Sequence, residues 1–304
     1  MSDAIRTENL VKKFRRVSAL DSLNLTVPQG AIYALVGPNG AGKTTAIKIL
    51  MNIIEATGGR AEVMGEPSTS LRGSKFASIG YVSENQKLPE WMLVDAFLAY
   101  LRPFYPTWDR ALENEMLKLF GLPLDRKLKH LSRGMKMKAA LASSLAYRPK
   151  LIVLDEPFTG LDPLVRDELI QALLERADES SILISSHDLG EIESFATHVG
   201  YLEAGKLQFS EELNSLMSRF REVELTFDSP PALPPKVPNG WMQMNSSAAV
   251  VRFIESEFDE PRTTNQAEQV FGPARNVTFT PMSLREIFLV MAKNGRELAQ
   301  GAHV

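Results

Sequence analysis

Three short apolar runs in the chain predict buried strands. They lie at residues 31–36 (AIYALV), 151–154 (LIVL) and 181–185 (SILIS). Continuous apolar runs, unlike alternating ones, are typical of strands that are covered on both faces. These three segments therefore favour a parallel sheet with layers packed on both sides.

The segment between the last two runs predicts a helix. Its apolar residues recur at helical spacing and form one stripe: Val165, Leu169, Ile170, Leu173 and Leu174. Pro163 precedes the stripe at a place that suits a first helical turn. The order strand, helix, strand predicts an α/β layer fold.

The pattern changes between about residues 89 and 145. Strand signals disappear, and the sequence reads as helices that are interrupted at Pro103, Pro106 and Gly121. We interpret this stretch as a helical insertion in the α/β body.

A second change follows residue 216. Residues 228–240 (DSPPALPPKVPNG) are rich in proline and turn-forming residues, which is typical of a loop or linker. Strands are predicted at 248–254 and 276–280, and a closing helix is predicted to end near Gly295. We therefore expect two domains, at residues 1–215 and 216–304, the second a small α+β appendage.

Composition narrows the class of protein. The 304 residues are 44% hydrophobic and 23% charged, which is ordinary for a globular protein. The net charge of −3 gives no reason to expect binding to nucleic acid. The chain has no cysteine, which excludes disulfides and thiolate chemistry. No run approaches the roughly 20 apolar residues of a membrane span, so a soluble or peripheral protein is expected.

A glycine-rich loop follows the first apolar strand and precedes a helical segment. Its glycines let backbone N–H groups approach an anion, and the helix adds its positive end. Lys43 can reach the β- and γ-phosphates of a nucleotide, and the Thr44 hydroxyl can ligate Mg²⁺. The predicted phosphate-binding residues are Gly37, Pro38, Asn39, Gly40, Ala41, Gly42, Lys43, Thr44 and Thr45.

Polar residues follow the other two apolar strands. Asp155 ends its strand at the edge where parallel sheets bind ligands, and its carboxylate can hold Mg²⁺ through water. Glu156 is the candidate to polarise an attacking water, although an Asp-Glu pair at this place can also merely cap a turn. His187 reaches the same edge and can donate to a γ-phosphate, unless it is structural.

The motifs together resemble those of one family. In chain order they are GPNGAGKTT, LSRGMK, LIVLDEPFTGLDP and ISSHD. This set resembles the ATP-binding cassette of ABC transporters over residues 4–215, and it is similar to cassettes of ABC-2 type exporters. The resemblance implies a P-loop NTPase core of RecA-like type with an antiparallel β subdomain, the helical insertion at 89–145 and the α+β appendage.

The resemblance gives a role to a basic octet, residues 131–138. In the family the signature segment, here residues 131–135 of the octet, covers the γ-phosphate that a partner subunit holds, so two cassettes close head to tail around two ATP molecules. Ser132 is a good N-cap and Gly134 permits close approach, which agrees with anion binding at a helix start. Arg133 stands where the family commonly has Gly, and Met135 where it commonly has Gln. The predicted contacts to the partner's nucleotide are Leu131, Ser132, Arg133, Gly134 and Met135.

Further roles follow from the resemblance alone. Phe14 matches the aromatic that stacks on adenine, although it could equally belong to the core. Asp162 matches the polar residue of the loop that crosses the dimer interface. Glu84 stands where the family usually has a Gln that touches Mg²⁺; we expect Glu84 to be the metal ligand, with Gln86 as the alternative.

The expected function is that of an ATPase subunit with ATP and Mg²⁺ as its ligands. It would act as a homodimer on the inner face of the cell membrane and drive a separate integral membrane permease, as part of an exporter. Candidates for the permease contact, some of which could instead be core, are Leu88, Trp91, Met92, Phe104, Tyr105 and Trp108. The rival is a soluble cassette ATPase that acts on the ribosome or on DNA.

Overall fold

The computed structural model describes residues 3–234 and 237–301. By its internal contacts the chain forms two compact units, Met1–Ser210 and Glu211–Val304. The boundary between them lies five residues before the one predicted from the sequence, 215/216. In the described segments no helix is both long enough and apolar enough to span a membrane.

The first unit alternates strands and helices. In chain order its elements are β1 (Asp3–Phe14), β2 (Val17–Leu23), β3 (Thr26–Pro28), β4 (Ile32–Val36), α1 (Lys43–Leu50), β5 (Gly58–Val63), β6 (Glu66–Pro67), β7 (Ile79–Ser83), α2 (Val94–Leu101), α3 (Arg110–Leu119), α4 (Arg133–Leu145), β8 (Leu151–Asp155), α5 (Pro163–Leu174), β9 (Ser181–Ser186), β10 (His198–Glu203) and β11 (Lys206–Glu212). Short 3₁₀ turns lie between several of them.

The central sheet of this unit has the strand order β11-β10-β4-β9-β8-β7. Strands β10, β4, β9, β8 and β7 are parallel to one another. The three apolar runs form β4, β8 and β9, and every residue of these strands is buried. The predicted parallel sheet is thus confirmed, and the cause is the one expected, since both faces are covered.

A second sheet in this unit is antiparallel, with the order β2-β1-β5-β6 and with β3 paired to β1. Its inward-facing side chains join those of β4 and α1 in one apolar core that includes Ile5, Leu23 and Ile47. The predicted α/β core with an antiparallel subdomain is therefore confirmed.

The region between β7 and β8 is helical, as expected, and contains α2, α3 and α4. A 3₁₀ turn at Arg102–Phe104 holds Pro103, and α3 ends before Gly121, whose φ is +58°. A residue with a positive φ cannot continue a right-handed helix, and glycine adopts this conformation without steric cost. The chain therefore turns at Gly121.

The second unit is α+β. Its elements are α6 (Leu213–Arg219), β12 (Arg221–Thr226), β13 (Trp241–Ser247), β14 (Val250–Glu255), α7 (Glu260–Phe271), β15 (Asn276–Pro281) and α8 (Leu284–Gly301). The sheet has the order β13-β14-β12-β15, and Trp241 stacks on Phe253 at 3.8 Å between ring centroids. The closing helix was predicted to end near Gly295, which is wrong, because α8 continues to Gly301. Residues 302–304 of the predicted appendage lie outside the described residues.

Candidate functional site

The glycine-rich loop lies between β4 and α1, at the carboxyl edge of the parallel sheet. Two glycines are required by close packing. A Cβ at Gly37 would collide with the carbonyl of Leu202, and one at Gly42 would collide with the carbonyl of Ala19. The Lys43 side chain folds back over the loop and donates to the carbonyls of Gly37, at 2.6 Å, and Pro38, at 3.2 Å.

Register brings the predicted polar residues to this edge. Asp155 pairs with Ser185 across β8 and β9, and Val36 pairs with Ser186 across β4 and β9. Strands that are parallel and in register end at the same height, so the loop after β4, the carboxylates after β8 and His187 after β9 meet there. Residues that are more than 100 positions apart thereby form one cluster.

Asp155 is buried in a hydrogen-bonded group. Its Oδ1 accepts from the Thr44 hydroxyl at 2.9 Å and from the Ser185 hydroxyl at 2.8 Å, while Ser185 Oγ accepts the backbone N–H of Glu156 at 3.0 Å. Burial, aided by the neighbouring charge of Glu156, raises the pKa of Asp155, against the effect of its two hydroxyl donors.

Glu156 lies between two donors. Lys43 Nζ is 3.0 Å from its Oε1, and His187 Nδ1 is 2.7 Å from its Oε2, which also accepts from the Thr159 hydroxyl at 3.2 Å. Burial acts to raise the pKa of Glu156, but the hydrogen bonds from His187 and Lys43 outweigh it and hold the pKa below its usual value. The carboxylate is therefore ionised at neutral pH and able to accept a proton.

The backbone at Glu156 is unusual, with a φ of +53°. A side chain that large seldom occupies the left-handed region, although nine other non-glycine residues in the described part of the chain also have a positive φ. The turn directs the carboxylate to Lys43 and His187 instead of continuing the direction of the strand.

The oxygens of Thr44 and Asp155 fit a magnesium ion. They are hard ligands, they lie together, and Mg²⁺ needs few protein ligands because it keeps several waters and binds phosphate oxygens. Of the three predicted metal ligands, Thr44 and Asp155 are thus in contact with each other. The third, Glu84, points elsewhere.

Glu84 follows β7, and its backbone N–H donates to the carbonyl of Asp155 at 2.9 Å. Its carboxylate points instead to Arg133, whose Nη2 donates to Oε1 at 2.6 Å. The alternative residue, Gln86, accepts the backbone N–H of Ser83 at 3.4 Å through its side-chain oxygen. A metal-ligand role for Glu84 or Gln86 stays a prediction.

The signature segment forms the start of α4. Leu131 is buried, and Ser132 is the N-cap, whose hydroxyl accepts from the N–H of Met135 at 3.2 Å. Gly134 packs on α5, because a Cβ there would lie 3.2 Å from Cγ1 of Val165. Ser132 and Arg133 are exposed, so the turn presents a capped helix start to the surroundings.

Two further predicted residues lie at the ends of elements. Phe14 ends β1 and is 46% exposed, and Lys12 Nζ lies over one face of its ring, 4.9 Å from the centroid. A role in stacking on adenine stays a prediction. Asp162 is the N-cap of α5 and accepts from the N–H of Val165 at 3.0 Å. Its role at a dimer interface stays a prediction.

Two residues that hydrogen-bond to the carboxylates, Ser185 and Thr159, were not among the predicted site residues. Ser185 lies in the same motif as His187, and its pairing opposite Asp155 depends on the strand register. The ion pair between Arg133 and Glu84 was not predicted either, because no local pattern indicates it.

Comparison with known proteins agrees with this geometry. A family profile described as ABC transporter matches residues 20–159. The bacitracin transport ATP-binding protein BcrA of Bacillus licheniformis is 34% identical over 232 residues, which is 73% of this chain and 74% of that protein. The chain belongs to the ABC transporter ATP-binding proteins. It is an ATPase of that family and binds ATP.

Other relatives of this ABC protein agree. The daunorubicin/doxorubicin resistance ATP-binding protein DrrA of Streptomyces peucetius is 33% identical, covering 67% of this chain and 64% of that protein. A solved ATP-binding subunit of an ABC transporter superposes with a TM-score of 0.65 at 26% identity, over 71% of this chain and 92% of that one. A bacterial ABC transporter cassette solved as a dimer, MJ0796, shares the fold, with a TM-score of 0.63 at 24% identity, over 69% of this chain and 98% of that one.

Proposed function

We propose that this ABC ATPase hydrolyses Mg·ATP as a homodimer and drives a separate membrane permease, as part of an exporter. The observation that carries the proposal is the placement of Glu156, an ionised carboxylate held between Lys43 and His187, beside the Thr44–Asp155 pair. These are the groups that phosphoryl transfer to water requires.

The chemistry assigns each group a task. Water attacks the γ-phosphorus, the bond to the bridging oxygen breaks, and ADP and phosphate leave. Glu156 orients the water and accepts its proton. Lys43 exchanges its contact with Glu156 for the β- and γ-phosphates, and His187 donates to the γ-phosphate as charge develops. Thr44 and Asp155 would hold Mg²⁺, which supplies positive charge at the phosphate oxygens.

The signature turn supports the homodimer. Its exposed, Ser132-capped helix start offers free N–H groups and a positive dipole to an anion. In the cassette family that this chain belongs to, the signature segment covers the nucleotide of a partner. A second copy of the chain would supply it here, so that each pocket is completed by its twin.

An apolar groove supports the permease contact. It has a volume of about 340 Å³ and lies between the parallel-sheet core and the helical region. Its lining includes Phe76, Leu88, Phe97 and Tyr105. Trp91 and Phe104 in the same helical region are 71% and 62% exposed, so both side chains are accessible to a partner.

Other predicted contact residues have partners within the chain. Tyr105 stacks on Tyr147 at 3.9 Å between centroids, and Trp108 Nε1 donates to Glu113 at 2.6 Å. We therefore assign the permease contact to the groove and to Trp91 and Phe104. A permease in the membrane would place this ATPase peripherally on the cytoplasmic face.

Export is supported by what the relatives are named for. One is named for bacitracin transport and another for resistance to daunorubicin and doxorubicin. Removal of such compounds from the cell is the direction that gives resistance.

Sedimentation of a hydrolysis-deficient form tests the homodimer. Glu156→Gln keeps the shape of the side chain but removes the proton acceptor, so turnover should fall about 100-fold or more while ATP stays bound. With saturating Mg·ATP this variant should sediment as a dimer and without nucleotide as a monomer. The variant carrying Lys43→Ala as well should stay monomeric. Monomers of Glu156→Gln at saturating Mg·ATP would refute the homodimer.

Co-purification tests the partner. Wild type should be recovered with an integral membrane protein, and Trp91→Ala with Phe104→Ala should lose that protein while keeping ATP binding. The matched control is Leu164→Ala, which removes a 69% exposed apolar residue from α5. Recovery with ribosomes or DNA in place of a membrane protein would favour the soluble alternative.

A further inference from the structure

The ion pair between Arg133 and Glu84 joins two segments that both belong to the proposed chemistry. Arg133 is the first residue of α4 in the signature turn, and Glu84 follows β7 beside Asp155. Nη2 of Arg133 lies 2.6 Å from Oε1 of Glu84. The turn that would meet the partner's nucleotide is therefore tied to the chain's own metal edge.

These two residues are also the two charged departures from the family pattern noted in the sequence. Arg133 replaces the commoner glycine, and Glu84 replaces the commoner glutamine. An arginine added alone would put an uncompensated charge on the signature turn, and a glutamate added alone would put a negative charge near the phosphates. Together they neutralise each other.

The rest of the Arg133 side chain is also held within its own chain. Its Nη1, Cζ and Nε atoms occupy the space that a side chain at Gly160 would need, at 3.1, 3.3 and 3.7 Å from where its Cβ would lie. Gly160 belongs to the loop between Glu156 and Asp162. The guanidinium is thus drawn inward over this loop, although 52% of the side chain is exposed.

A second ion pair connects the same two segments and offers a comparison. Lys136, one turn further along α4, donates to Glu90 at 3.0 Å. This pair has the same charges and joins the same helix to the same post-β7 segment. It involves a residue outside the five-residue signature and makes no contact with Gly160 among the described contacts.

We infer that Glu84 is a positioning residue that holds the Arg133 side chain against its own chain and neutralises its charge. The signature turn then contacts the partner's nucleotide without an additional attraction between a free arginine and the phosphates. This inference rests on the proposed function, because it requires a nucleotide shared between two copies. Glu84 thereby acts on the partner's pocket, through Arg133, and limits how tightly ATP closes the dimer.

A consequence is that a weaker tie gives a tighter dimer. Without the carboxylate, Arg133 keeps its charge and its fork of N–H donors, which suit phosphate oxygens. In the Glu156→Gln background, Glu84→Gln should lower the ATP concentration for half-maximal dimer formation by about fivefold, the order expected for one exposed charge contact.

A double-mutant cycle tests the route of this effect. Arg133→Gln supplies the second corner of the cycle, because it removes the charge through which Glu84 is inferred to act. In the presence of Arg133→Gln, the change caused by Glu84→Gln should disappear. The control Glu90→Gln should stay within about twofold of the parent.

Salt and magnesium dependence separate this role from others. The fivefold change should shrink as ionic strength rises from about 0.05 to 0.5 M, because screening weakens a free arginine, whereas a purely structural effect would persist. The Mg²⁺ concentration needed for dimer formation should be the same with Glu84 or Gln.

Three outcomes would overturn the inference. An equal change from Glu84→Gln with and without Arg133 would mean that Glu84 acts on its own pocket. A weaker dimer with a raised Mg²⁺ requirement would assign Glu84 to the metal. A dimer in none of the variants would refute the proposed function and this inference with it, whereas a dimer with independent effects refutes the inference alone.

Discussion

At the carboxyl edge of the parallel sheet the side chains of Lys43 and Glu156 are only 5% and 11% accessible, whereas at the start of α4 the side chain of Arg133 is 52% accessible. At the sheet edge the charge of Glu156 is compensated within one chain, because Lys43, His187 and Thr159 all contact its carboxylate. The second place presents an exposed helix start that the Ser132 hydroxyl caps. The difference suits a divided pocket, in which one copy supplies the buried chemistry and the other an exposed lid.

The two places also differ in how much folding free energy is lost when a charge loses its partner. Buried ions need partners of opposite sign, so removal of one leaves the other uncompensated. Exposed pairs contribute little to folding, so Arg133 and Glu84 are free to serve binding. Substitutions at the two places should therefore differ in size and kind.

The largest effect is expected from Lys43→Ala at the buried edge. It removes the cation that would meet the β- and γ-phosphates, and ATP affinity should fall by about 100-fold or more. It also leaves Glu156 without its ion-pair partner, so the free energy of unfolding should decrease. Equilibrium binding of a fluorescent ATP analogue and urea unfolding measure the two effects. Near-normal affinity would contradict the assignment of the loop.

His187→Ala should lower kcat by about 100-fold with a smaller change in KM, because His187 both orients Glu156 and donates to the γ-phosphate during reaction. Steady-state kinetics measure the split. The matched control is His198→Ala, since His198 begins β10 at the opposite edge of the sheet and stacks near Tyr33. A loss of similar size in both variants would argue against a role at the site.

Gly134→Ala should disturb the exposed side of the comparison through packing. The new methyl group would lie 3.2 Å from Cγ1 of Val165, so that side chain must shift by a few tenths of an ångström. The overpacking cost of about 1–3 kcal/mol is partly offset by the roughly 1 kcal/mol that alanine gains over glycine within a helix, so we expect a net decrease of about 1 kcal/mol in the free energy of unfolding. Chemical unfolding measures it. Adding Val165→Ala makes room and should restore part of the loss; no recovery would show that the contact with Val165 is not the cause.

The smallest change in stability is expected from Asp155→Asn, which should make the metal-free protein slightly more stable, although it removes a proposed Mg²⁺ ligand and should abolish turnover. Because the folded state raises the pKa of Asp155, its ionised form costs stability at neutral pH, and asparagine removes that cost. Tm in EDTA at pH 7 should rise by about 2 °C. The gain should vanish as the pH falls far enough for Asp155 to take up its proton, since protonation relieves the same cost in the wild type.

Local sequence was enough to predict most of the buried edge. Three apolar runs gave the strands, and the residues that follow each run had to meet at one edge of a parallel sheet. The loop at Gly37 to Thr45 is encoded by adjacent residues, so its chemistry could be predicted from spacing. The end of α8 could not be predicted from spacing, because a glycine such as Gly295 can lie inside a helix as well as end one.

The partners of the site residues could not be predicted in the same way. Ser185 holds Asp155, and Glu84 holds Arg133, across 30 and 49 positions of the chain respectively. A shift of one residue in the pairing of a strand with its neighbour would place different side chains beside Asp155. The length of each side chain then decides which charged groups come into contact.

The sequence by itself determined the parallel sheet, the phosphate loop and the position of the candidate catalytic carboxylate after β8, because each depends on periodicity or on neighbouring residues. Only the tertiary structure decided that Glu156 is clamped between Lys43 and His187 and that Glu84 turns away from Asp155 to Arg133. The physical reason is that backbone patterns act over a few residues, whereas burial and charge pairing depend on which distant side chains the fold brings within hydrogen-bonding distance.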